Sequence, residues 1–182
     1  MVLIYLTQNS PRCSYILDFI FKDELDLTFR TSADIKEFEQ FAGEKINYSE
    51  KRIGDEFYIK SNSILFETGI KKQEIKVEET ESEKILFPCV EDDLGFDIFS
   101  SVFFIVSRYE EYLPFQGDKF GRFKHEDSLA FQNNFLQKPV VNLWIEILKN
   151  KLAGKFPSLQ FAKKKFNCVI TYDIDVAYKY KG

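Results

Sequence analysis

The stretch Val2-Leu3-Ile4-Tyr5-Leu6-Thr7-Gln8-Asn9-Ser10-Pro11, continued by Ser14 to Phe21, decides the fold class. Val2 to Leu6 is an unbroken apolar run of strand length. Tyr15, Ile16, Phe19 and Ile20 then recur at helical spacing, with Ser10 and Pro11 as cap and first-turn residues. A strand leading into a helix opens an α/β fold. Next, Leu25, Leu27 and Phe29 alternate with polar residues, which predicts a half-buried strand. Ser32 is placed to cap a short helix that runs through Phe41 and stops at Gly43.

From Lys45 to Phe87 the pattern changes to short apolar runs at 46–48, 57–59, 64–66, 75–77 and 85–87, with turns at Gly54-Asp55, Ser61-Asn62-Ser63 and Gly69. This middle region reads as antiparallel strands in hairpins. Asp97 to Leu113 is the clearest helix. Phe99, Val102, Phe103, Val106, Tyr109 and Leu113 form one stripe, and Phe104 and Ile105 widen it enough to predict burial on more than one side. Pro114 is expected to end that helix, and Pro139 to open another with Val141, Trp144, Ile145, Leu148 and Leu152 on one face. Between them, residues 115–138 form a long aromatic connection of the kind that wraps a surface or serves a site. The fold class expected is α/β with mixed α+β character: a mixed sheet with a central antiparallel hairpin region, flanked by helices near 14–22, 33–41, 97–113 and 139–152.

At 182 residues the chain has room for one domain with a substantial core and a short remainder. Hydrophobic residues at 45% and charged residues at 30% place it among globular chains rather than disordered ones. A net charge of −4 supplies no broad cationic field, so nucleic acid and anionic membrane are not expected partners. No run is long enough for a membrane span, and Met1 to Leu6 lacks the basic start of a signal peptide. Cys13, Cys89 and Cys168 are odd in number and each lies beside apolar or aromatic residues. Buried, reduced thiols in a cytoplasmic setting are the simplest account.

The chain closes on Phe166-Asn167-Cys168-Val169-Ile170-Thr171-Tyr172, an expected strand with Asp173 and Asp175 at its carboxyl end. Side chains two apart on extended backbone share a face, with alpha carbons roughly 6.5 to 7 Å apart, so a cation can fit between the carboxylates. A solvent-facing strand end or a helix cap accounts for the same two residues.

Val169 to Asp175 resembles the opening motif of the polysaccharide deacetylase domain (carbohydrate esterase family 4), a strand ending in Thr-Phe-Asp-Asp-Gly, with Tyr172 in place of the Phe. Ser100 to Leu113, Pro114-Phe115, Gly121-Arg122-Phe123 and Ser128-Leu129-Ala130-Phe131 are similar to the region that precedes such domains in some bacterial proteins. The resemblance implies an accessory α/β domain over 1–160 and the start of a truncated deacetylase domain over 161–182. It further implies a parent enzyme that removes N-acetyl groups from a polysaccharide with a divalent metal, zinc or similar. The implied partner is the downstream deacetylase domain of the same chain, with polysaccharide as a further one. Carried across, Asp173 is the general base. Ile174 falls where the family has its metal-binding aspartate, so Asp175 is the implied metal ligand only if the chain bends to bring it in. The family completes its site with a downstream His-x-x-x-His motif, whereas the single histidine here, His125, lies upstream. These residues by themselves are therefore expected to hold no cofactor and to be inactive.

Other candidates carry plainer readings. His125 stands among Lys124, Glu126 and Asp127 as a surface histidine would. Arg108 is spaced to pair with Glu111 or reach Tyr112, or to fix the long loop or a neighbouring domain. Phe115, Phe120, Phe123, Phe131 and Phe135 suit packing over a core and, alternatively, stacking on sugar rings. Gly117, Asp118 and Gly121 are turn residues, since no phosphate-loop pattern accompanies them. Asp-x-Asp after an apolar strand also occurs in phosphotransfer enzymes of the haloacid dehalogenase type and in metal-dependent glycosyltransferases. A noncatalytic glycan-binding or protein-binding module is the reading from a different class.

Overall fold

The computed structural model describes residues 1–81, 83–162 and 167–173. Val2–Leu6 forms β1, and α1 (Pro11–Leu17) follows at once. The Ser10 hydroxyl accepts from the Cys13 amide, so the expected cap is in place and Pro11 occupies the first turn. The helix continues as π-helical turns over Asp18–Glu24. The next strand, β2 (Phe29–Ser32), starts later than its alternating pattern predicts. The helix α2 (Ile35–Gln40) is capped by Asp34, whose carboxylate accepts from the Lys36 and Glu37 amides, and not by Ser32.

The four strands β1, β2, β3 (Lys45–Ser49) and β4 (Phe57–Lys60) form one sheet in the order β2-β1-β3-β4, and every pairing in it is parallel. The expectation of an antiparallel middle holds only for β5 (Val77–Glu79) and β6 (Lys84–Leu86), which pair as a separate two-stranded ribbon. Residues 64–66 are not a strand, because Ser63–Leu65 turns as a 3₁₀ helix whose carbonyls bond to α1.

Two neighbouring parallel strands usually need a crossover of about a dozen residues or more. Here residues 50–56 return the chain from β3 to β4. Glu56 holds this short crossover together. Buried at the foot of β4, it accepts from the Asn47 side-chain amide at 2.8 Å and from the Ile53 and Gly54 amides at 2.8 and 2.6 Å. Burial pushes its carboxyl up, but these hydrogen bonds outweigh that and leave it below the usual glutamate range. A depressed folded-state value stabilises the fold above the unfolded-state value, and this contribution fades as pH falls through the folded one. Glu56→Gln should therefore lower stability by about 1–2 kcal/mol near neutrality and by less in acid, read from urea unfolding at several pH values.

The sheet separates two layers. Val2, Ile4, Leu6, Ile46, Tyr48, Phe57 and Ile59 point into the main core with α1, α3 (Ile98–Val106) and α5 (Val140–Lys155). On the other face, Tyr5 meets Phe38 of α2 with ring centroids 5.4 Å apart. Residues Ile98 to Phe104 are all buried, as the broad stripe predicts. That helix is shorter than expected, because Arg108 adopts a left-handed conformation (φ 52°) and the chain continues as a 3₁₀ turn over Tyr109–Tyr112. Glycine normally supplies this conformation, so no breaker marks the spot in the sequence.

The outer edge of β4 is covered by the loop before α3. Asp93 accepts from the Tyr58 amide, Asp92 accepts from the Lys60 amide, and Arg52 clamps Asp93 through two nitrogens. Of the cysteines, Cys13 is buried, Cys89 is half-buried and Cys168 is exposed, so the expectation of three buried thiols holds for Cys13 alone. Among the described residues no helix is long and apolar enough to cross a membrane.

Candidate functional site

Open parallel sheets bind ligands outside the carboxyl ends of the strands, where the strand order reverses. In the order β2-β1-β3-β4 that point lies between β1 and β3. The chain fills the position itself. The Ser10 hydroxyl donates to the Leu65 carbonyl, and the Arg12 guanidinium donates to the carbonyls of Ile64 and Gly69. The segment after β4 is thus tied across the start of α1.

A second polar group lies just beyond the end of β4. Asp97 is fully enclosed and accepts four hydrogen bonds: from the Ser100 amide (3.0 Å), the Ser100 hydroxyl (2.6 Å), the Asn62 amide (2.8 Å) and the Tyr48 hydroxyl (2.9 Å). Burial drives its carboxyl up to about 6, against the pull of these bonds, and holds the Tyr48 phenol well above its ordinary value. A cavity of about 270 Å³ adjoins it, lined also by Lys60, Glu74 and Cys89. Because Asp97 caps α3 and its oxygens are committed to four donors, it acts as a structural pin joining β3, the end of β4 and α3.

The third position lies where α3 gives way to the long connection. A cavity of about 320 Å³ has Phe104, Ile105, Ala130 and Leu136 as apolar wall and Arg108, Glu111 and His125 among its polar groups. It adjoins a more open depression of about 750 Å³ along Phe115, Phe123 and Lys124. Short elements build the outer side: a 3₁₀ turn at His125–Asp127 and α4 (Leu129–Gln132), capped by Ser128. Glu110 accepts from the Leu129 amide at 2.8 Å and ties the loop to α3. Burial raises its carboxyl. Arg108 donates through Nε to Glu111 at 2.6 Å, which is the pairing its spacing predicts. Phe123 meets Phe115 edge to face at 5.2 Å, and His125 meets Phe131 in the same way at 5.2 Å.

The loop is stiffened by Asp118, which accepts from the Phe120 and Arg122 amides and pairs with the Arg122 guanidinium. Gly117 packs so close to Gly121 that a Cβ there would lie 2.8 Å from backbone. Phe120 stands out from this turn, 67% exposed, with the Arg122 guanidinium 4.7 Å from its ring centre.

The strand expected before the terminal carboxylates is not formed over the described residues 167–173. Asp173 is exposed and sits on backbone that joins no sheet, and Asp175 lies outside the described residues. Among the described residues no group of three His, Cys, Asp or Glu side chains is arranged to hold a metal ion. The metal site that the resemblance implies would draw on Asp175, which is not among those residues.

Residues 2–157 match the family of unknown function DUF7033. The chain belongs to that family. No curated protein and no solved structure matches it. The DUF7033 match ends just after α5, and the strands and α-helices described here all fall inside it. The cavity beside Arg108 lies wholly in the DUF7033 region, whereas Asp173 and Asp175 lie beyond it. Sequence reading pairs Arg108 with Glu111 and names His125 and Phe123 apart from them, and the fold brings all four to one place. It misses Asp97 and Glu56, although an aspartate directly before the Ile98 run is itself a cap signal.

Proposed function

We propose that this chain is the accessory module preceding the catalytic domain of a metal-dependent polysaccharide deacetylase. The observation that carries the reading is the segment after the DUF7033 region. Val169, Ile170 and Tyr172 are 74%, 72% and 83% exposed on an apolar, strand-like sequence that joins neither sheet. Apolar surface left in water costs roughly 25 cal/mol per Å², so such a run favours a partner sheet. A strand of a following domain supplies that partner, and the resemblance of Val169 to Asp175 to the deacetylase opening motif gives the domain its class.

In this reading Asp173 deprotonates the attacking water and Asp175 contributes to the metal site, with the imidazoles supplied downstream. The metal supplies Lewis-acid polarisation of the amide when bound. The DUF7033 region contributes no catalytic group.

The test is a protein extended beyond Gly182, assayed for metal-dependent acetate release from chitooligosaccharides. Asp173→Asn should reduce turnover by about a hundredfold or more. Acetate release undiminished in Asp173→Asn removes that residue as the base, and no release at all from the extended protein sinks the deacetylase reading.

A further inference from the structure

The cavity at the end of α3 has a composition that selects its ligand. Its wall is apolar, from Phe104, Ile105 and Leu136. Its rim carries Arg108, Glu111 and His125. Arg108, the cation lining the cavity, pairs with Glu111, Glu110 adds a second carboxylate to the lining, and in the adjoining depression Arg122 pairs with Asp118. A site for phosphate or a polyanion would instead leave cationic groups unpaired around it. Paired side chains present donors and acceptors side by side, which suits hydroxyl groups that both donate and accept.

Three further features mark the cavity as built rather than accidental. Arg108 holds a left-handed backbone that disfavours a side chain, and such strain persists where surrounding structure imposes it, commonly at binding positions. Glu110 fastens the outer wall through the Leu129 amide. Phe115 and Phe131 stay partly exposed at the margin, 41% and 44%, next to Phe123 and His125 respectively. At about 320 Å³ the cavity lies within the usual range of small-ligand sites, roughly 300–1,000 Å³.

We infer that this cavity binds one ring of an uncharged oligosaccharide, its C–H face against Phe123 and the apolar wall and its hydroxyls toward Arg108 and Glu111. This deepens the accessory-module reading, on which it rests: the module would hold the polymer that the catalytic domain works on. Binding here uses neither a metal nor Asp173.

The experiment is calorimetric or NMR titration of the 182-residue chain with chitooligosaccharide and cello-oligosaccharide, with polygalacturonate as an anionic comparison. At least one neutral oligomer should bind. Phe123→Ala should weaken that binding about tenfold. Arg108→Gly should do the same, and because glycine accepts the left-handed backbone without strain, an unchanged thermal midpoint in this variant assigns the loss to the side chain and not to the fold. The control Phe120→Ala, on the outer turn, should bind as the parent chain does. No binding of either neutral oligomer, unchanged affinity in both cavity variants, or tighter binding of polygalacturonate than of the neutral oligomers overturns the assignment. Those outcomes leave acetate release by the extended protein untouched, and failed acetate release leaves the titration untouched, so the two proposals fail separately.

Discussion

Asp97→Ala is expected to lower the unfolding free energy by about 3–5 kcal/mol, the effect of removing one partner from a buried polar network. The substitution strips the cap of α3. It also leaves the Tyr48 hydroxyl, the Asn62 amide and the Ser100 amide and hydroxyl without their shared acceptor inside the core. Each loss alone costs about 1–3 kcal/mol, and the losses do not add fully because all four donors meet at one carboxylate.

A pH series separates the charge from the hydrogen bonds. In the folded protein the Asp97 carboxyl rises from its ordinary 3.8 to about 6, so the folded state binds this proton more tightly than the unfolded chain does. Stability from this group is then greatest below pH 3.8, declines as pH rises toward 6, and is level above that. The full decline is about 3 kcal/mol. Asp97→Asn keeps the size of the side chain and cannot ionise. Its own cost is about 1–3 kcal/mol, since an amide has one acceptor oxygen and cannot serve both the Asn62 and the Ser100 N–H groups that the two carboxylate oxygens accept from. The gap between the parent chain and Asp97→Asn should therefore narrow as pH is raised from 4 to 7, because only the parent chain loses stability through Asp97. Urea unfolding of both proteins across that range reads the gap directly, and a constant gap would mean that Asp97 is ionised throughout.

Trp144→Ala carries a comparable expected loss, about 3–5 kcal/mol. Trp144 is completely buried and is the largest side chain in the core. Its ring lies 5.9 Å from that of Phe96, and its indole N–H donates to the Lys84 carbonyl at 2.8 Å. The residue therefore joins α5 to β6 and to the loop before α3. Truncation opens a cavity between these elements and leaves the Lys84 carbonyl without that donor. Trp144→Phe should recover most of the packing while still lacking the hydrogen bond, at a cost of about 1–3 kcal/mol. Thermal unfolding followed by circular dichroism distinguishes the two variants. If both lose stability equally, packing is not the main contribution.

Much of the fold is legible because local chemistry decides it. The Val2 to Leu6 strand, the Ser10-Pro11 helix start, the broad apolar face of Ile98 to Phe104 and the Trp144 helix all follow from residue spacing and capping. The candidate cavity was legible only in parts. Arg108 and Glu111 are three apart, a spacing that suggests their pairing, although the pair forms across a left-handed residue and a 3₁₀ turn and not within the helix. That His125, Phe123 and Leu136 close over the same space depends on how the long connection folds back, which no spacing encodes.

The sequence by itself determined that the chain alternates strand and helix at its start, builds an aromatic core, carries a net negative charge, and places two aspartates after an apolar run near its end. The tertiary structure alone decided that β3 and β4 lie parallel, because strand direction depends on the path of the crossover that Glu56 holds and not on strand composition. It alone decided that α3 ends at Val106, two residues before Arg108 turns left-handed without a glycine. It also decided that the sheet's own ligand position is filled by Ser10 and Arg12 contacts, which moves the candidate site to the end of α3. The physical reason is the same in each case: local signals act over a few residues, whereas direction, termination and enclosure depend on partners dozens of positions away.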